Sequence, residues 1–266
     1  PPTGESRHKL VLLAHVDSNK DRPMFKPSVK RLLLGATTFG IGALASNGVA
    51  QLAEGFGAGE GATKMRRFSA LALGTALLTT LYDERGDYIA GANDNASAVA
   101  CVLGMAAQLR QHPLAHTEVW LAFTGAEEVG CLGVHALLDA YGDDLRDAFF
   151  LDFEMVGTDA VAYVMRHTGF SLLSAYAPDA ASLAWAVSTA HQHPDLGVTG
   201  RAMVIGEEVG ALRLRGYRGL CLAGYGPDGW LANWHQASDT AAHIKPSGLE
   251  KAARFAWAMM QVLDTQ

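Results

Sequence analysis

Cysteine is scarce in this 266-residue chain, which contains three. Cys101, Cys131 and Cys221 are widely spaced, odd in number and without a C-x-x-C pair. This excludes a disulfide framework and gives no sign of a cysteine-rich metal motif. We therefore expect all three to be reduced, mostly buried, small apolar residues without a chemical role.

Positive charge is also in short supply. Lys and Arg number 21 against 27 Asp and Glu, so the formal net charge is −6. A chain without a broad basic field is not expected to bind nucleic acid. The sequence has no repeat of fixed period and no extended low-complexity tract, which excludes solenoid and fibrous architectures.

The chain lacks an initiator Met and a signal peptide, and it reaches the apolar run KLVLLAH after a few polar residues. We therefore expect it to be a piece of a longer chain whose N-terminal parts are missing. Its length and its 49% hydrophobic content suit a single α/β domain over residues 1–266.

From residue 86 onward, short β-rich runs alternate with Ala- and Leu-rich helical runs. This alternation predicts a mixed, largely parallel central sheet flanked by helices on both faces. The predicted strands are 9–15, 118–123, 148–154, 161–166 and 218–223. The predicted helices are 95–111, 130–141, 179–192, 207–215 and 246–263.

Residues 24–85 interrupt that alternation. Residues 32–53 and 68–82 carry no charge and are separated by a Gly-rich polar loop, which predicts an inserted hydrophobic helical hairpin. The first run has the length of a bilayer span, but the second is shorter than the roughly 17 residues usually needed. Membrane association through these two runs and a soluble helical pair that caps the domain are both open interpretations, and the localisation stays unknown.

Five segments rich in metal-ligating side chains follow predicted strands or enter predicted helices. They are AHVDS with His15 and Asp17, GANDNASAVA with Asp94, TGAEEVG with Glu127 and Glu128, FFLDFEMVG with Asp152 and Glu154, and NWHQASDT with His235. Ligands of open α/β sheets bind at the carboxyl ends of the strands. Each segment alone has an ordinary explanation, such as a helix N-cap for Asp94. Together they predict a metal site.

The adjacent carboxylates Glu127 and Glu128 are the most informative pair. Two neighbouring glutamates on a turn are usually just solvated. A divalent cation changes this, because it can bind one carboxylate while the other accepts a proton from water.

In this order, the motifs H-x-D, G-A-N-D-N, E-E-x-G, acid-Met-x-Gly and H-x-x-S-D-T resemble the zinc aminopeptidases of clan MH, family M28. The resemblance covers residues 9–23 and about 86–264. It implies a zinc-exopeptidase-like fold, in which residues 1–266 form a zinc-peptidase domain and residues 24–85 are the inserted hairpin.

The resemblance also implies a role for each motif residue. Five residues would bind two zinc ions: His15 and Glu154 in one site, Glu128 and His235 in the other, and Asp94 bridging both. Glu127 would be the general base, and Asp17 would orient His15. The family usually has Asp before the Met, so Asp152 remains an alternative to Glu154. Co²⁺ or Mn²⁺ would suit the same ligands.

The implied function is that of an aminopeptidase, which removes N-terminal residues from peptides by attack of a water bridged by two zinc ions. One alternative is a glutaminyl-cyclase-like acyltransferase with a single zinc ion. Another is a catalytically inactive, membrane-linked peptidase-like domain. Glu207 and Glu208 stand where the family often has an Asp near the substrate pocket, which makes them candidates for contacting a free α-amino group.

Overall fold

The computed structural model describes residues 1–26, 28–168 and 175–266. Within them the strands are β1 (His8–His15), β2 (Thr117–Thr124), β3 (Phe149–Glu154), β4 (Ala160–His167), β5 (Thr199–Met203) and β6 (Arg218–Tyr225). The helices are α1 (Lys30–Gly55), α2 (Glu60–Asp83), α3 (Ser97–Gln111), α4 (Leu132–Tyr141), α5 (Ala180–Gln192), α6 (Glu208–Leu214) and α7 (Pro246–Asp264). The strands and helices predicted after residue 86 therefore match observed elements to within a few residues.

The six strands form one sheet in the order β2-β1-β3-β6-β4-β5. β2, β1, β3 and β6 are parallel to one another, while β4 is antiparallel to β6 and parallel to β5. The prediction of a mixed, largely parallel sheet is thus confirmed. β5 was not predicted, because its sequence TGRAM lacks an apolar alternation and most of it is only partly buried.

β1 shows how the sheet is buried on both faces. Leu10, Leu12 and Ala14 belong to a core cluster that includes residues of α3, α5 and α7. Val11 and Leu13 point to the opposite face, where they pack with residues of α4 and α6. Because side chains alternate along a strand, a fully apolar strand requires helices on both sides, as predicted.

Residues 24–85 contain two long helices, α1 and α2, which pack against each other. The Glu54 carboxylate accepts a hydrogen bond from Arg66 Nε at 2.9 Å across the pair. α1 mixes its apolar residues with Gly, Thr, Ser and Asn, and α2 begins with a charged stretch. Of the helices in the described residues, none combines the length and apolar character of a membrane span. The predicted hydrophobic insert and its membrane association are therefore not supported.

Leu12 and Leu121 offer a direct test of this packing, because they are register partners on β1 and β2. Leu12 is fully buried, whereas Leu121 is 39% exposed on the outer strand. Leu12→Ala should lower the free energy of unfolding by about 2–5 kcal/mol, since it leaves a cavity in the core. The matched variant Leu121→Ala should cost less than half as much. Urea unfolding measures both. Equal losses would contradict the assigned burial.

Candidate metal centre

The parallel strands bring three of the predicted motifs to one edge of the sheet. His15 is the last residue of β1 and Glu154 is the last residue of β3. Glu127 and Glu128 lie in the turn that follows β2. Because β1 pairs in parallel with both β2 and β3, the carboxyl ends of all three strands are neighbours.

Asp94 reaches this edge from the segment that precedes α3. The Asp94–Asn95 peptide bond is cis, and Gly91 adopts a left-handed conformation with φ of 62°. The carboxylate of Asp239 accepts hydrogen bonds from the backbone N–H groups of Asn93 at 2.7 Å and Asp94 at 3.0 Å. Asp239, the acid of the S-D-T motif, therefore positions Asp94, a role that the sequence alone did not reveal.

The first cluster of ligand-type atoms contains His15, Asp94 and Glu154. His15 Nε2 lies 3.3 Å from Asp94 Oδ1 and 3.5 Å from Glu154 Oε1. One ligand atom from each of the three residues lies within 4.8 Å of the other two. This spacing is compatible with a shared ion.

The second cluster contains Asp94, Glu128 and His235. His235 Nε2 lies 3.4 Å from Asp94 Oδ2 and 3.0 Å from Glu128 Oε2, and the three ligand atoms again lie within 4.8 Å of one another. The two carboxylate oxygens of Asp94 therefore face two different histidines. Asp94 lies between the clusters.

The ligand-type nitrogen and oxygen atoms in these clusters are buried, and several of them have no hydrogen-bond partner in the part of the chain that the structure describes. His15 and Asp94 are each 1% exposed, and His235 is 5% exposed. His15 Nε2, Asp94 Oδ2 and Glu128 Oε1 have no hydrogen-bond partner among the described residues. Buried polar atoms normally have partners. Since imidazole nitrogens and carboxylate oxygens are ordinary zinc ligands, the side chains present fit divalent cations.

Asp17 contacts both His15 and the turn after β2. His15 Nδ1 lies 3.0 Å from the main-chain carbonyl oxygen of Asp17 and 3.5 Å from its carboxylate. A carbonyl oxygen can only accept, so Nδ1 donates this hydrogen bond and Nε2 faces the cluster. The carboxylate of Asp17 also accepts from the backbone N–H groups of Glu127 and Glu128 at 3.1 and 3.2 Å. Asp17 thus positions the paired glutamates as well as His15.

Two asparagines hold the predicted ligand carboxylates in place, and neither was assigned this role from the sequence. Asn95 Nδ2 donates to Glu154 Oε2 at 3.0 Å, and Asn19 Nδ2 donates to Glu128 Oε2 at 2.7 Å. Both bonds join residues far apart in the chain. Asn95 belongs to the GANDN motif and could have been recognised there as a site residue. No sequence pattern marked Asn19.

Three side chains of the two clusters, His15, His235 and Glu154, have raised pKa values, which favour their protonated forms at neutral pH. Burial lowers the pKa of His15, but the charge of Glu154 and hydrogen bonds to neighbouring acids outweigh it, so this pKa lies well above its usual value. Burial lowers the pKa of His235 as well, but hydrogen bonds to acids of the second cluster raise it to about 9. Burial raises the pKa of Glu154 to about 8. Negative charge is thus in excess here, and a cation can replace these protons.

Glu127 stands apart from both clusters while facing the same space. Its Oε2 atom lies 4.0 Å from His15 Nε2, and its side chain lines the cavity above the centre. Burial and the nearby acids Glu154, Glu128 and Asp94 raise its pKa well above the usual value. Cys131 Sγ contacts Glu127 Oε1 at 3.6 Å.

The remaining candidate acids are outside the two clusters around Asp94. Asp152 belongs to neither cluster around Asp94 and lies with Glu207 and Cys221 instead, so the geometry favours Glu154 as the acid of the first cluster. Glu208 accepts a hydrogen bond from Thr124 Oγ1 at 2.9 Å. Glu207 accepts one from Val209 N at 2.6 Å. Both carboxylates are buried with internal partners, but Glu207 also lines the cavity over the centre, so its contact with a free α-amino group stays a prediction.

A cavity of about 890 Å³ opens over the centre. Its floor includes Asp94, Glu127 and Glu154, and its walls include Leu33 and Ile41 of α1. The helix pair of residues 24–85 therefore contributes an apolar side to this cavity. The size is within the range of roughly 300–1,000 Å³ typical of small-molecule sites.

Comparison with known proteins shows which fold this is. The structure resembles LapB from Legionella pneumophila, with a TM-score of 0.62, 10% identity and coverage of 98% of this chain and 53% of that chain. It resembles BSAP, a zinc aminopeptidase from Bacillus subtilis, with a TM-score of 0.58, 16% identity and coverage of 98% and 47%. A glutaminyl cyclase from an Acidobacteriales bacterium gives a TM-score of 0.60 at 18% identity, with coverage of 99% and 71%.

At these identities the structural likeness shows the fold alone, and the chain spans about half the length of the first two proteins. No curated protein matches the sequence. Residues 74–260 match the family described as Peptidase family M28. This match includes all the predicted metal ligands and the predicted base except His15; His15 and Asp17 lie before it, and the fold brings them to the same edge of the sheet. Because it covers well over half of the sequence, the chain belongs to peptidase family M28.

Proposed function

We propose that this chain is a metal-dependent aminopeptidase that uses two zinc ions and Glu127 as the general base. The observation that carries the proposal is the position of Asp94, whose two carboxylate oxygens face His15 on one side and His235 on the other. A carboxylate placed between two ligand clusters is suited to bridge two cations. The zinc aminopeptidase from Bacillus subtilis, similar in fold, supports this reading.

The ligand sets follow from the two clusters. One ion would be held by His15, Asp94 and Glu154, and the other by Asp94, Glu128 and His235. The three carboxylates supply three negative charges against the four positive charges of two zinc ions, which leaves room for one further anionic ligand. Co²⁺ and Mn²⁺ remain alternatives, because carboxylate and imidazole ligands suit them as well.

Zinc ions in such a centre supply Lewis acidity, which polarises a peptide carbonyl and makes water more acidic. Glu127 is placed to take the proton from the attacking water and to return it to the leaving amine. The carboxylate of Asp17 accepts the backbone N–H of Glu127, and the Glu127 side chain lines the cavity without belonging to either ligand cluster. The substrate would be a peptide with a free N-terminus.

A single-zinc, glutaminyl-cyclase-like transferase is the second candidate, because a glutaminyl cyclase shares the fold at a similar TM-score. Such an enzyme needs only one metal cluster. The presence of the His15 cluster, with all three ligand-type atoms in mutual reach, favours the two-metal peptidase. An inactive domain is not favoured, since both clusters and the base are intact.

Glu127→Gln is the direct test of the base. The amide keeps the size of the side chain but cannot accept the proton, so kcat with an aminoacyl-p-nitroanilide should fall roughly 10²- to 10⁴-fold. The zinc content should stay that of the wild type, because Glu127 is not in either ligand cluster. Glu118→Gln, on the partly exposed side of β2, is the matched control and should retain full activity. A Glu127→Gln enzyme as fast as the wild type removes Glu127 from the mechanism.

His15→Ala and His235→Ala separate the two-metal peptidase from the single-zinc transferase. Each variant should retain one equivalent of zinc fewer than the wild type after dialysis, because each removes a ligand of a different cluster. Both should lose most peptidase activity, as the wild type should after chelation. Zinc is measured by mass spectrometry, alongside cyclisation of an N-terminal glutaminyl peptide. If His15→Ala keeps the wild-type zinc content and the protein cyclises glutamine, the transferase is the better assignment.

The apolar wall from α1 predicts a preference for large apolar groups in the substrate. Ile41→Ala should lower kcat/KM for leucyl or phenylalanyl substrates by roughly tenfold and should affect alanyl substrates less, because a larger side chain loses more contact. Val49→Ala is the matched control, since Val49, like Ile41, is an exposed residue of α1 but lies outside the cavity lining. Equal effects of the two substitutions, or equal effects on all substrates, would place α1 outside the binding site.

A further inference from the structure

A second group of metal-type donors lies deeper in the fold. Asp152 is on β3, two residues before Glu154, and its register partner on β6 is Cys221. Glu207 is the N-cap residue of α6. One atom from each of these three residues lies within 4.8 Å of the other two, and all three side chains are buried. None of them belongs to the clusters around Asp94.

Asp152 is the residue that points to a ligand. It is fully buried, and no backbone or amide group among the described residues donates a hydrogen bond to its carboxylate, which contacts the acidic side chains of Glu207 and Cys221 instead. Burying a carboxylate without a partner is costly unless a proton or a cation compensates it. Since register partners on neighbouring strands project to the same face, Asp152 and Cys221 face the same space.

Glu207 is held in a fixed orientation towards this space. Its Oε2 atom accepts the backbone N–H of Val209 at 2.6 Å. Its Oε1 atom accepts from Tyr176 Oη at 3.1 Å and lies 2.5 Å from His167 Nε2. The rings of His167 and Tyr176 stack with centroids 4.2 Å apart. Carboxylates that bind metals are typically oriented by such surrounding hydrogen bonds.

The charges of the region are unbalanced. Asp152, Glu207 and the buried neighbour Glu208 are three carboxyl groups, and His167 is the one basic side chain that the structure shows in contact with Glu207. Burial, together with the charge of Glu207, raises the pKa of the Cys221 thiol well above its usual value. A cation that binds through this sulfur therefore has to displace the thiol proton.

We propose that Asp152, Glu207 and Cys221 form a further metal site, which takes a thiophilic divalent cation such as Zn²⁺ through one thiolate and two carboxylates. A thiolate ligand selects zinc over Mg²⁺ and Ca²⁺, which prefer oxygen ligands only. The bound ion joins β3, β6 and the start of α6, close to the end of β3 that carries Glu154. Glu207 also lines the cavity, which gives the ion a route of entry. The proposal goes beyond the aminopeptidase assignment and does not depend on it.

The test uses the sulfur ligand, because the centre around Asp94 contains only nitrogen and oxygen donors. Metal-free protein is reconstituted with Co²⁺, and the near-ultraviolet spectrum is examined for a thiolate-to-cobalt charge-transfer band. The wild type should show the band and Cys221→Ser should lose it. Cys131→Ser is the matched control, since Cys131 lies beside Glu127, and it should keep the band. Cys221→Ser should also retain one zinc equivalent fewer than the wild type.

X-ray absorption at the zinc edge of the wild-type protein gives a second readout that requires no variant to fold. It should show a sulfur scatterer at about 2.3 Å. A spectrum with nitrogen and oxygen scatterers alone, or a cobalt band that disappears in Cys131→Ser and persists in Cys221→Ser, overturns the proposal. In that case Asp152 is a neutral carboxyl group that shares a proton with Glu207. The activity tests of His15 and Glu127 are unaffected by either outcome.

Discussion

The concentration of buried carboxylates at the carboxyl ends of β1, β2 and β3 is the constraint on which the site depends. Asp94, Glu128 and Glu154 converge with two histidines in a space that water reaches poorly. Such a group of acids is tolerated only if protons or cations neutralise it. Asp94 presents one oxygen to each histidine, and this geometry is the basis for proposing two cations.

The fold turns this unfavourable set of charges into an ordered centre. Parallel pairing of β1 with β2 and β3 fixes the relative positions of His15, Glu154 and the turn with Glu127. Asp239 then holds the backbone at Asp94. These contacts fix the backbone that carries the ligand-type side chains, and such preorganisation is what a precise catalytic geometry requires.

Much of this was predictable because the sheet and the motifs carry local signals. The apolar strands and amphipathic helices after residue 86 follow periodicity, and the candidate ligands stand directly after predicted strands. The contacts of Asn19 with Glu128 and of Asp239 with Asp94 were not predictable, because they join residues 109 and 145 positions apart and leave no local pattern. The contribution of Ile41 to the cavity wall was not predictable either, because it depends on how α1 packs. The uncharged composition of residues 32–53 does not determine that packing. The same composition left membrane association open as one interpretation, which the structure does not support.

We propose two metal ions, one on each side of Asp94. Anomalous diffraction at the zinc edge, from crystals grown at neutral pH with zinc supplied, locates them. Two peaks are expected around Asp94, one in contact with His15 and Glu154 and one in contact with Glu128 and His235. A single peak near Asp94, or none, would refute the two-ion arrangement.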